Sequence, residues 1–213
     1  MQAHVIKVDN PGSLEAALKK AKEVILSGGV VAIPTESFYG LAINAKDEQA
    51  IQRLLNVKKR GGDHPILILI SSKAMLNRYV AHLPEKAHQL IREFWPGGLT
   101  IVFKAGPNIS PLLTAGTGKI GIRLSSHPIP TKLAHATDSP ITGTSANISG
   151  EPACMTAEEV SHALGEEVDL ILDGGEAAGG KGSTVVDVTV DPPRILREGM
   201  VGEQELRDVL LSA

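Results

Sequence analysis

The 213-residue chain carries 21 basic and 24 acidic residues, a net charge of −3, and only 3% of it is aromatic. That length suits one domain with a substantial core better than two, and the acidic balance argues against a protein that coats nucleic acid or a membrane surface by bulk charge. A lone cysteine, Cys154, rules out an intramolecular disulfide, so the expectation is a single domain over residues 1–213 in a reducing cytoplasm, with no secretory leader in "MQAHVIKVDN" and no apolar run near the ~20 residues that span a bilayer.

In chain order, "SLEAALKKAKEVILSGG" repeats apolar residues at Leu14, Ala17, Leu18, Ala21, Val24 and Ile25, with Ser13 as N-cap and glycine at its end, which predicts an opening helix. "VVAIPT" and "YGLAINA" follow as short strands around a Pro-Thr-Glu-Ser-Phe kink. "DEQAIQRLLNVKKR" then offers Ile51, Leu54, Leu55 and Val57 to a helix capped by Asp47. "PILILI" reads as a strand, "KAMLNRYV" and "PEKAHQLIREFW" as helices, and "LTIVFKA" and "IGIRLS" as strands. Helix "PIPTKLAHAT", strand "ITGTSAN", helix "AEEVSHALG", strands "DLILDGG" and "STVVDVTV", and helix "EQELRDVLL" complete the chain. This interleaving predicts an α/β fold, and strand pairs without an intervening helix favour a mixed sheet over a purely parallel one.

Lys58, Lys59 and Arg60 form a cation run at the end of a predicted helix. Such charges complement the helix dipole while pointing into water. The adjoining "GGDHP" and the strand after it place this run at a sheet edge, where a phosphate is well served by the planar fork of Arg and the point charge of Lys. "GEAAGGKGST" (175–184) approximates a Walker loop and fails as one, because Gly182 stands where a hydroxyl must follow the lysine and a β-branched run replaces the helix. "AGTGKIGIR" fails in the same way. Polar groups gather instead in "TGTSANISG" and "PTESFYG" at predicted strand ends. Arg123 interrupts the apolar strand of Ile120, Ile122 and Leu124, and so requires an anionic partner or a route to solvent. The chain offers no credible Ser-His-Asp triad, no activating partner for Cys154, and no histidine pair at metal-ligand spacing; Trp95 reads as core packing at a helix end.

"PTESFYGL", the Lys58-x-Arg60 pair, "FWPGGLTIVF", "GIRLSSHP", "SANISG", "GSTVVDVT" and "ILREG" occur in the order seen in the YrdC-like family of threonylcarbamoyl-AMP synthases, which the chain resembles from about Gly28 to Gly199. The resemblance implies a single twisted mixed sheet flanked by helices, with a cationic concave cleft. It implies synthesis of threonylcarbamoyl-AMP and pyrophosphate from L-threonine, bicarbonate and ATP, with magnesium and with a monovalent cation left open. The product would pass to a transferase that builds N6-threonylcarbamoyladenosine in tRNA. Carried over by position, Lys58 and Arg60 with Ser145 and Asn147 form the catalytic set on the ATP phosphates, and Arg197 binds the nucleotide. Thr35, Arg123 and Ser183, with Tyr39, hold threonine. "EPACMT" departs from the serine and proline many members place before the chain threonine that follows S-A-N-x-S-G, the histidine that often follows the strand here reading "PILILI" is missing, and the end soon after "ILREG" resembles the short form without a further C-terminal domain. Two alternatives remain: a paralogue that binds nucleotide or RNA without making the adenylate, and a module that holds tRNA or double-stranded RNA in the cleft. Acidic charge and scarce aromatic residues weigh against the second.

Overall fold

The computed structural model describes residues 3–59 and 64–211. In chain order these form β1 (His4–Lys7), α1 (Pro11–Leu26), β2 (Val31–Pro34), β3 (Tyr39–Ala42), α2 (Glu48–Val57), β4 (Ile68–Leu69), α3 (Lys73–Leu76), α4 (Glu85–Phe94) and β5 (Leu99–Lys104). They continue with β6 (Lys119–Arg123), α5 (Pro128–Ala136), β7 (Ile141–Thr142), β8 (Thr144–Ser145), α6 (Ala157–Leu164), β9 (Leu170–Asp173), β10 (Thr184–Asp187), β11 (Arg194–Arg197) and α7 (Glu203–Leu211). No helix among these residues is long and apolar enough to cross a membrane.

Local chemistry accounts for the helix starts. Asp47 caps α2 as expected, accepting from the amides of Gln49 at 2.9 Å and Ala50 at 3.1 Å. α1 begins three residues earlier than predicted: Asn10 is the N-cap, and Ser13 answers it from the N3 position in a capping box. α2 ends at Val57, so the cation run lies beyond the helix. Lys58 is its C-cap, Lys59 turns into the left-handed region at φ 47°, and Arg60 lies outside the described residues.

The fold is mixed α/β as expected, but its strands divide between two sheets, one of five strands in the order β1-β9-β2-β3-β8 and one of six in the order β11-β10-β5-β6-β4-β7. Both contain parallel and antiparallel pairs. The predicted strand "ITGTSAN" is where they part: β7 pairs with β4 in one sheet and β8 with β3 in the other. Gly143 sits between them, and a Cβ there would come within 2.7 Å of Leu67 and Leu69, so glycine is required by close approach. "PILILI" contributes only Ile68–Leu69 as strand. One core packs Leu41, Ile51, Leu54, Ile68, Phe103 and Ile122 between sheets and helices. A second seats Ala17, Ala21 and Ile25 of α1 and Leu133 of α5 against Ile33 and Leu170.

Candidate active site

The ends of strands from both sheets converge on one cleft of about 370 Å³, whose walls include Thr35, Tyr39, Arg123, Ser145, Ser183 and Arg197. Its size lies within the range of small-molecule sites. Six residues singled out in the sequence are thus brought together, although they lie up to 162 positions apart (197 − 35).

One wall begins at the turn between β2 and β3. Thr35 closes this turn, donating its hydroxyl to the Phe38 carbonyl at 2.7 Å and accepting from the Ser37 amide at 3.3 Å. Glu36, on the same turn, supplies the anionic partner that the strand arginine required. Its Oε1 lies 3.3 Å from Arg123 Nη1, and Oε2 accepts from the Ser125 hydroxyl. Both side chains are buried, at 5% exposure for Arg123 and 9% for Glu36. Burial lowers the pKa of Arg123 from its ordinary value, Glu36 opposes that, and the charge of nearby Arg197 adds to the lowering. Arg123 Nε is buried with no hydrogen-bond partner among the described residues. His127 stands beyond Ser125, caps α5 through Nδ1, and is held below its ordinary pKa by burial, with Glu36 opposing.

Arg197 reaches across to Ser183. Its Nη2 donates to the Ser183 carbonyl at 2.8 Å and to the hydroxyl at 3.3 Å, and that hydroxyl also pairs with Thr100 at 2.8 Å. Thr184, fully buried beside it, donates to the Val201 carbonyl and accepts from the amides of Gly199 and Val201. It therefore fixes the turn that carries Arg197. Close backbone packing there requires Gly199, whose Cβ would fall 2.1 Å from the Gly182 carbonyl oxygen.

The remaining expected residues are placed differently. Tyr39 lines the cleft, but its hydroxyl donates to Gly175 O at 2.7 Å and accepts from Gly174 N at 3.2 Å. Burial, then the charge of Asp173, pushes its pKa up to about 12, so it stays protonated at neutral pH. Lys58 and Asn147 bond to one another and to the loop after β8, behind the Ser145 wall. Cys154 is buried, and desolvation raises its thiol pKa, which makes it a poor nucleophile. Trp95 packs in the core with its indole N–H on Leu99 O, as expected. Among the described residues no group of three His, Cys, Asp or Glu could hold a metal.

Glu36 and Thr184 were not singled out in the sequence as site residues. The demand of Arg123 for an anion was the signal for Glu36; nothing in the sequence marked the Thr184 hydroxyl as the anchor of a turn 15 to 17 residues on.

Residues 23–199 match the Sua5/YciO/YrdC family, described as telomere recombination. The threonylcarbamoyl-AMP synthase of Pyrococcus abyssi is 37% identical over 92% of this chain and 58% of its own length. The structure of P. abyssi Sua5 complexed with L-threonine superposes with a TM-score of 0.92 at 35% identity, covering 98% of this chain and 61% of that one. Escherichia coli YciO superposes with a TM-score of 0.84 at 29% identity over 96% of this chain and 98% of its own. The chain spans somewhat over half the length of the Pyrococcus relative and nearly all of YciO. With the family match covering most of the chain, and its motifs folded around one cleft, the protein belongs to the Sua5/YciO/YrdC family.

Proposed function

We propose that this protein is an L-threonylcarbamoyladenylate synthase, joining L-threonine, bicarbonate and ATP into threonylcarbamoyl-AMP and pyrophosphate. The observation that carries this reading is one cleft lined by Arg123, whose buried Nε has no hydrogen-bond partner among the described residues, by Arg197 braced on Ser183, and by Ser145.

In this reading the Thr35, Arg123 and Ser183 side takes threonine, with the guanidinium on its carboxylate and the Tyr39 ring as a wall. The Lys58, Arg60, Ser145, Asn147 and Arg197 side serves the nucleotide. The threonine amine attacks carbon dioxide derived from bicarbonate and loses a proton, giving a carbamate. A carbamate oxygen then bonds to the α-phosphorus of ATP while the bond to the bridging oxygen breaks, and pyrophosphate leaves with that electron pair. The barrier is repulsion between two anions. Pre-positioned cations and hydroxyls lower it by meeting charge as it develops, and holding both substrates in one cleft does the remainder. No covalent nucleophile is needed.

Magnesium fits this site only as a companion of the nucleotide. Glu36, the carboxylate beside the cleft, faces Arg123 and Ser125 with its two oxygens. With Glu36 so engaged, and with no group of three His, Cys, Asp or Glu among the described residues able to hold a metal, the phosphates themselves would be its ligands. The product, a labile mixed anhydride, calls for a tRNA threonylcarbamoyl transferase as its acceptor, in the cytoplasm. The second reading is a nucleotide- or RNA-binding relative without synthase activity.

Incubation with ATP separates the two readings. Pyrophosphate release should require threonine and bicarbonate together; turnover that ignores threonine, or none with all three present, defeats the synthase reading.

A further inference from the structure

Lys58 is 2% exposed, and its side chain points into the loop that follows β8. Its ammonium donates to Ser145 O at 2.7 Å, Asn147 O at 2.6 Å and Asn147 Oδ1 at 3.0 Å. An ammonium has three donors and no acceptor, so these bonds engage all of them. The Lys58 main chain holds the same loop from the other side, its carbonyl accepting from Ser149 N at 3.1 Å. One residue at the end of α2 thus grips three positions lying 87 to 91 places further along the chain (145 − 58 and 149 − 58).

Asn147 is equally occupied. Its Oδ1 accepts from both Lys58 and Ser145 Oγ, and its Nδ2 donates to Ile148 O and Glu151 O. Two lone pairs and two N–H groups are all that a side-chain amide possesses. Neither residue is among the described residues lining the cleft, whereas Thr144 and Ser145 are. A phosphate could recruit the Lys58 ammonium only by displacing one of these three bonds, each of which holds the loop after β8, and so at a cost.

We propose that Lys58 is a positioning residue: its ammonium and carbonyl fix the loop over residues 145–149 so that Ser145 faces the cleft, and it makes no contact with the phosphates. This rests on the synthase reading for the reaction it serves, and it reassigns one residue within that reading. Asn147 works with it as the hub of the same loop, and direct charge neutralisation falls to the arginines.

Two measurements test this. In the wild-type protein, reductive methylation should leave Lys58 unmodified while the exposed Lys181 reacts, with or without ATP. Labelling of Lys58 in the ligand-free protein that ATP suppresses would overturn the proposal. In the Lys58→Met variant, amide exchange at Asn147 and Ser149 should rise at least tenfold without ligand. The kcat should fall at least tenfold while the KM for ATP moves less than threefold, because lost geometry acts on the transition state. A tenfold rise in the KM for ATP with ligand-free exchange unchanged would make Lys58 a phosphate contact. If the variant does not fold, the wild-type labelling decides alone. Absence of pyrophosphate from the wild type would sink the synthase reading and leave the labelling and exchange results to judge Lys58 independently.

Discussion

Arg123, in the wall of the cleft, and Lys58, behind the Ser145 wall, are two cations buried to nearly the same depth, 4% and 2% exposed as whole residues. Arg123 shares its charge with Glu36 and keeps an Nε with no hydrogen-bond partner among the described residues. The three ammonium donors of Lys58 are all taken by a backbone loop and the side chain of Asn147. Depth of burial therefore does not tell whether a buried cation can receive a ligand; the number of its donors already engaged does. A five-donor guanidinium can hold a structural partner and a substrate at once, and a three-donor ammonium is exhausted sooner.

The largest effect should come from breaking the Arg123 pair. Arg123→Met strands Glu36 as a buried charge, and removing one partner of such a pair costs about 3–5 kcal/mol of stability. The double variant Arg123→Met/Glu36→Gln removes the charge as well, so urea unfolding should show most of that loss recovered. Threonine affinity, by calorimetry, should remain depressed by roughly 1.5–3 kcal/mol in the double variant, the worth of a charge-assisted contact. Threonine bound by the double variant as tightly as by wild type would take Arg123 out of the substrate site.

Tyr39→Phe sharpens the comparison from the other side. The Tyr39 hydroxyl resembles the Lys58 ammonium in being bonded to backbone, so its removal should cost about 1–2 kcal/mol of stability through the unpaired Gly175 carbonyl. The KM for threonine should stay within threefold. A tenfold increase would show that the hydroxyl meets substrate.

The smallest effect concerns pH on the Glu36 side. Burial holds His127 below its ordinary value of 6.5, so the unfolded chain takes up that proton at a higher pH than the folded one. Stability contributed by the neutral ring is present above about pH 6.5 and is lost as pH falls through the lower folded value. His127→Asn keeps a side-chain acceptor at the start of α5 and should flatten this part of a stability-against-pH curve. An unchanged slope would place the titration elsewhere.

Elements with a buried stripe and a capping signal could be read from the sequence, as with α2 behind Asp47 and α6, whose cap is Thr156. β1 and β11 were not, because both are edge strands whose residues are largely exposed and show no apolar alternation. The gathering of Thr35, Arg123, Ser183 and Arg197 was legible through their motifs. How each donor is occupied was not: the Lys58 contacts, the Glu36 pair and the Thr184 anchor all depend on which strands become neighbours, and local pattern does not encode that. The division into two sheets was hidden for a similar reason, since "ITGTSAN" has the composition of one continuous strand.

Gly143 at that division has a consequence for engineering. Because β7 and β8 belong to different sheets on either side of a single residue, the spacing from Thr142 to Ser145 sets both registers at once. A one-residue insertion or deletion here would turn Ser145 away from the cleft and carry the Asn147 amide out of reach of Lys58, since side chains alternate along a strand. This segment should therefore tolerate some side-chain replacements yet reject changes of length, and a graft or chimera across it must preserve the count of residues before it preserves their identity.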